Sequence, residues 1–111
     1  MITTKPAGVR VRVTFNGEVI ADTRDALVLQ EESYPPVYYL PRNDVKMERL
    51  IRTSHTSYCA DKGHATYFTI CNGQTARHAV WSYERPLPEM AGIRERLAFY
   101  PDKVEIATTT D

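Results

Sequence analysis

The dipeptide Asn16-Gly17 ends a run, Val9-Arg10-Val11-Arg12-Val13-Thr14-Phe15, in which apolar and polar residues alternate. Alternation at period two marks a strand with one buried face, because successive side chains leave a strand on opposite sides. Asn and Gly both accept positive φ, which a type I′ turn requires at its two central residues. A two-residue loop pairs Phe15 with Glu18 and Val13 with Ile20, placing Val9, Val11, Val13, Phe15 and Ile20 on one core face. A second Asn-Gly, at Asn72-Gly73, sets a second hairpin in the same way. The two-residue loop there pairs Cys71 with Gln74, Tyr67 with His78, His64 with Trp81 and Lys62 with Tyr83. One face of that hairpin then holds Lys62, His64, Thr66, Phe68, Ile70, Arg77, Trp81 and Tyr83. Ala65, Tyr67, Thr69, Cys71, Ala76, His78 and Val80 fall on the other. Neither face is cleanly apolar, as expected where one end of a core strand pair opens into a polar site.

Between the hairpins, Ala26 to Glu31 reads as a strand with Leu27 and Leu29 inward. Tyr34-Pro35-Pro36 interrupts the ladder, because proline has no N–H to donate. Val37 to Leu40 resumes extended structure up to Pro41, Asn43-Asp44 is placed to cap one helical turn, and Met47 to Arg52 reads as a strand. After Pro86-Leu87-Pro88, Glu89 to Arg96 is the one stretch suited to a helix, with Pro88 in its first turn. Leu97 to Tyr100 and Val104 to Ile106 close the fold as short strands. The first residues read as a polar tail, and Thr108 to Asp111 as a loose end. The expectation is one all-β domain over residues 1–111, core about 9–106, with a short helix near the C-terminus.

A chain of 111 residues fits one domain with one modest core. Fourteen basic residues balance fourteen acidic ones, so no global field draws the chain to nucleic acid or to an anionic membrane. No apolar run approaches the roughly 20 residues that span a bilayer, and MITTKPAG lacks the apolar stretch of a secretory signal. Cys59 and Cys71 are the only cysteines, too few for a disulfide scaffold or a four-cysteine zinc site. A reduced, cytoplasmic setting without metal or cofactor is the expectation.

In order along the chain come Arg10-Val11-Arg12-Val13 with FNGEVIAD, then YPPVYYLPRNDV, then Cys59-x-x-Lys62-Gly63, then AVWSYERPLPE and AFYPDKV. Together these motifs resemble the family of the domain of unknown function 427, over about Val9 to Ile106. The resemblance implies a small, bacterial, β-tent-like protein with a nucleotidyltransferase-like label. The family usually reads Cys-Pro-aromatic-Lys-Gly where this chain has Cys59-Ala60-Asp61-Lys62-Gly63, which keeps the thiol and the amine. The paired Cys-x-x-Cys knuckles of many β-tent proteins are absent, so the resemblance carries no metal across.

The residues themselves support transfer chemistry poorly. Nucleotidyl transfer needs metal-holding carboxylates and a phosphate cradle, and the chain has no Asp-x-Asp, Asp-x-Glu or P-loop. Cys59 is a candidate nucleophile, with His55, His64 or His78 as base and Lys62 beside it; the competing reading is a small buried hydrophobe. Gly63 is explained by neither hairpin and marks a tight turn, and Lys62, Arg42 and Arg77 are candidate contacts for an anionic or carbonyl group. Seven tyrosines against three phenylalanines point to partly wet aromatic surface, as in clefts and interfaces. The leading expectation is a cleft for a small, anionic or nucleotide-like ligand beside the Cys59–Gly63 loop. Tyr38, Arg42, Cys59, Lys62, Gly63, His64, Trp81 and Tyr83 would form it. An enzyme using Cys59 or Lys62 is the rival, and an interaction module with its tyrosines in a homodimer interface is the third reading.

Overall fold

A computed structural model describes residues 1–110 as ten strands in three antiparallel sheets. The central sheet runs β6 (Leu50–Cys59), β7 (Gly63–Cys71), β8 (Thr75–Ser82) and β9 (Ala98–Phe99). A second sheet orders β10 (Glu105–Thr109), β2 (Arg10–Phe15) and β3 (Glu18–Thr23). The third orders β1 (Ile2–Pro6), β4 (Leu27–Glu31) and β5 (Val37–Tyr39). The all-β expectation therefore holds.

Strand β7 explains the layering, because both of its faces are buried. Phe68 and Ile70 join Val11, Val13, Ile20 and Ala21 in one apolar cluster. Ala65 and Tyr67, on the alternate face, join Leu29, Tyr39, Tyr83, Met90 and Ile93 in the other. A strand covered on both sides cannot show the clean alternation of β2, and this accounts for the mixed pattern of the second hairpin.

Both hairpins form, but each departs from the expected register at a bulge. In the first, Phe15 pairs with Glu18 as expected, yet Val13 faces Ala21 rather than Ile20. The extra residue lets Ile20 and Ala21 both enter the same cluster. In the second, Cys71 pairs with Thr75, so the loop has three residues, Asn72 to Gln74. Asn72 donates its amide to Phe15 O at 2.8 Å and to Glu18, while Asn16 donates to Asn72 O, so the two turns are bonded to each other. Further along, the register shifts again and Tyr67 faces Trp81 instead of His78. The bulge centres on His78, whose φ is 52°, and it puts the successive residues Ala79 and Val80 into one cluster.

The three-residue loop moves Trp81 to the face of Tyr67, away from Phe68 and Ile70, where a two-residue loop would have put it, and the two-residue shift at His78 keeps it on that face. Tyr83 is likewise buried with Ala65 and Tyr67.

Helical expectations are corrected too. No α-helix forms among the described residues: Pro88–Ile93 is a 3₁₀ segment kinked at Met90. Met90 and Ile93, three apart, are its buried positions, a spacing that suits a 3₁₀ turn, and Gly92 between them weakens an α-helix. Asn43 and Asp44 lie inside a 3₁₀ turn that follows Pro41 and has no side-chain cap. Met47–Arg49 is a second such turn, and β6 begins only at Leu50. The N-terminal residues form β1 against β4, and Thr108 and Thr109 pair with Val11 and Arg10. Edge strands gain backbone hydrogen bonds without burying side chains, so their polar sequences resemble tails; Asp111 lies outside the described residues.

Candidate functional site

The three sheets meet along the β9 edge around a cleft of about 480 Å³. Val11, Val13 and Ile106 form its floor with Leu40 and Phe99, and Tyr38, Trp81 and Tyr100 supply aromatic wall. The Tyr34-Pro35-Pro36 segment, exposed between β4 and β5, forms the rim. Prolines stop the β4 ladder there and hold the connection open. Glu31 is the one charged side chain on the lining.

Trp81 is fixed by its neighbours. Its indole N–H donates to Tyr39 Oη at 3.3 Å, and the Tyr39 ring meets it edge-on. Tyr100 tilts against the indole with centroids 4.5 Å apart. Burial pushes the Tyr39 phenol up to about 12 and also raises Tyr83; burial and the neighbouring Tyr67 take Tyr100 up to about 12. These tyrosines are therefore neutral hydrogen-bonding groups at physiological pH.

Behind Glu31 stands the Cys59–Gly63 turn. Lys62 is buried and donates to Glu31 Oε1 at 2.9 Å, and its Nζ lies 3.6 Å from Cys59 Sγ. Burial alone disfavours the ammonium, but the Glu31 hydrogen bond and the attraction of Cys59 and Glu31 outweigh it and raise its pKa. Lys62 is consequently a charged, occupied group rather than a free amine. Gly63 adopts φ of 112°, and a Cβ there would stand 3.4 Å from Arg85 O. Lys62 O accepts from Leu87 N at 2.9 Å, tying the turn to the same segment.

Of the expected site residues, Tyr38 and Trp81 line the cleft, and Cys59, Lys62 and Gly63 form the turn behind Glu31. Tyr83 is buried in the cluster beneath Trp81. Arg42 is elsewhere: it bonds Glu84, Ser82 and Glu95 O, and lies over the Phe68 ring on the opposite face of β7. His64 is exposed beside Tyr58. Arg77 is exposed, with its carbonyl accepting from Lys103.

None of the histidines is hydrogen-bonded to Cys59 among the described residues. His55 stacks on His78 at 4.7 Å and packs against Tyr67. Partial burial, then His55, pulls His78 below the usual histidine range. No group of three or more His, Cys, Asp or Glu side chains suited to a metal ion occurs among the described residues. Nor is any helix among them long and apolar enough to cross a membrane.

Glu31, Tyr34 and Tyr100 were not singled out as site residues by the sequence. YPPVYYL carries a signal in its density of aromatic and proline residues, whereas Glu31 joins Lys62 only through the fold.

The family model described as a domain of unknown function (DUF427) matches residues 3–110. The chain belongs to that family. A search of curated proteins gives no match. The DUF427 match covers the ten strands except for Ile2, so the cleft and the Cys59–Gly63 turn both lie within the family domain.

Proposed function

We propose that this DUF427 protein is a binding domain for a small organic ligand with a largely apolar body. The observation that carries this reading is the cleft of about 480 Å³, walled by Tyr38, Trp81 and Tyr100 and floored by aliphatic side chains. Small-molecule sites are concave, mostly apolar and few per protein, with volumes of roughly 300–1,000 Å³ and a few placed polar groups. Here the placed groups are Glu31 and the tyrosine hydroxyls. Lys62 acts through Glu31, fixing the carboxylate at the end of the cleft.

Of the three cations expected to hold an anion, Lys62 is matched by Glu31 and Arg42 by Glu84, and Arg77 is exposed and off the cleft lining. That favours a ligand held by its apolar body over one held by a phosphate. The rival enzymatic reading has less support, because a nucleophilic thiol needs a base within hydrogen-bond reach and Cys59 has only Lys62.

The test is a metabolite and nucleotide panel scored by thermal shift, with hits titrated through the fluorescence of Trp81, the single tryptophan. A true ligand raises the melting temperature and perturbs Trp81 saturably. If no compound stabilises the protein, the cleft is not a binding site.

A further inference from the structure

We infer that the cleft selects an organic cation, a small ammonium ion carried on an apolar body. The inference rests on the cleft's being a binding site and adds the charge of what it takes.

Trp81, Tyr38, Tyr34 and Tyr100 line a single cavity, and the one charged side chain among its lining residues is a carboxylate. An aromatic face carries negative electrostatic potential and attracts a cation placed over it, tryptophan most strongly. The Trp81 N–H is already spent on Tyr39, so what the residue offers a ligand is ring surface. Lys103 shows that a ring of this wall accepts a cation: its Nζ lies 6.0 Å from the Tyr100 centroid while it donates to Arg77 O. Lys103 itself is not among the lining residues.

Glu31 supplies the counter-charge. Lys62 bonds Oε1, leaving Oε2 outside that pair. Glu31 also lines an adjoining hollow with Glu32, Asp61 and Glu89. Two of the four are in ion pairs, Glu31 with Lys62 and Glu32 with the Met1 ammonium. This hollow therefore holds more carboxylates than ion-paired cations, in a chain that is neutral as a whole. An anion entering the cleft meets aromatic faces and no unpaired cation among the lining residues; a neutral ligand gains only the apolar contact.

The experiment compares 3-phenylpropylammonium, 3-phenylpropan-1-ol and 3-phenylpropanoate at pH 7, followed through Trp81 fluorescence. The three share a body and differ in charge. The ammonium ion is expected to bind about three- to thirtyfold tighter than the alcohol, with the carboxylate weakest. Glu31→Gln, checked for folding by its melting curve, should shrink the ammonium-to-alcohol ratio. If that variant does not fold, the order of the three probes on the parent protein still decides. Equal binding of all three, or a preference for the carboxylate, overturns the cation assignment while leaving the cleft as a binding site. Absence of saturable binding by all three overturns the cleft reading with it.

Discussion

Lys62 and Glu31 form an ion pair, Nζ to Oε1 2.9 Å, with the lysine side chain 9% exposed and the carboxylate, which lines the cleft, 27%. The asymmetry in burial decides which partner is costly to lose. Removing Glu31 strands an ammonium away from water, whereas removing Lys62 leaves a carboxylate that water still reaches.

Glu31→Gln should therefore lower the unfolding free energy by about 1–3 kcal/mol. Lys62→Met, which keeps length and apolar bulk, should cost less. The double variant should fall short of the sum, since neither charge is then stranded. Urea denaturation of the four proteins checks this. Strict additivity would show that the two groups do not stabilise each other.

The tyrosines beneath Trp81 predict weakness in alkali. Burial raises Tyr39 from 10.0 to about 12, so above pH 10 the unfolded chain loses that proton first. The unfolded state then binds fewer protons than the native state, and stability falls as pH rises from about 10 to about 12. The loss from this group is about 2–3 kcal/mol. Lys62, also raised, acts with the same sign above its ordinary 10.5. Tyr39→Phe should flatten the decline across that window in urea titrations at fixed pH steps. An unchanged slope would place the alkaline loss elsewhere.

What the sequence disclosed follows the range of the interactions. Asn16-Gly17 and the Phe15–Glu18 pair are local, and they form as the pattern requires. The bulges at Ile20 and His78 answer to packing against strands far along the chain, which put Ala21 and Ala79 into the core. No local pattern announces that demand. Because side-chain direction alternates strictly, the one extra residue in the Asn72–Gln74 loop reassigned Trp81 and Tyr83 to another face at once. Tyr38 and Trp81 were nevertheless legible as cleft residues from type alone, since partly wet aromatics favour such places. Arg42 is by type a candidate contact for an anion, but its partners, Ser82, Glu84 and Glu95, lie on segments that only the fold brings near.

Acid should weaken the second sheet. Arg10 grips Asp22 with two hydrogen bonds of 2.7 and 2.6 Å, and Arg12 adds a third at 3.3 Å. The Arg10 hydrogen bonds, with the charges of Arg10 and Arg12, hold Asp22 down at about 2 from its ordinary 3.8. A depressed carboxyl contributes stability above the unfolded pKa and loses it as pH falls through the folded one, here from about 4 to about 2. With both side chains partly solvated, the screened contribution is about 1 kcal/mol. Asp22→Asn should flatten that acid limb and lose about the same amount at pH 7, measured by thermal melts at low and neutral pH. A variant as acid-sensitive as the parent would contradict the assignment.

The turn that delivers Lys62 depends on Gly63. Its φ of 112° lies where L side chains are strained, and a Cβ would stand 3.4 Å from Arg85 O, a backbone atom that cannot rotate away. Gly17 provides the matched control, with φ of 77° and nothing within 4 Å of an added Cβ. Gly17→Ala should cost about 1 kcal/mol from the backbone alone. Gly63→Ala carries a larger strain, because a φ of 112° lies beyond the left-handed well that Gly17 is closer to, with a close-packed neighbour besides, and should cost about 2–3 kcal/mol. Relaxing that backbone strain should also loosen the Leu87 N–Lys62 O bond, so Lys62 should lose its fixed approach to Glu31. Coupling between Gly63→Ala and Glu31→Gln in a double-mutant cycle reports that second effect. Equal losses for the two alanine variants, with no coupling to Glu31, would reduce Gly63 to an ordinary turn glycine.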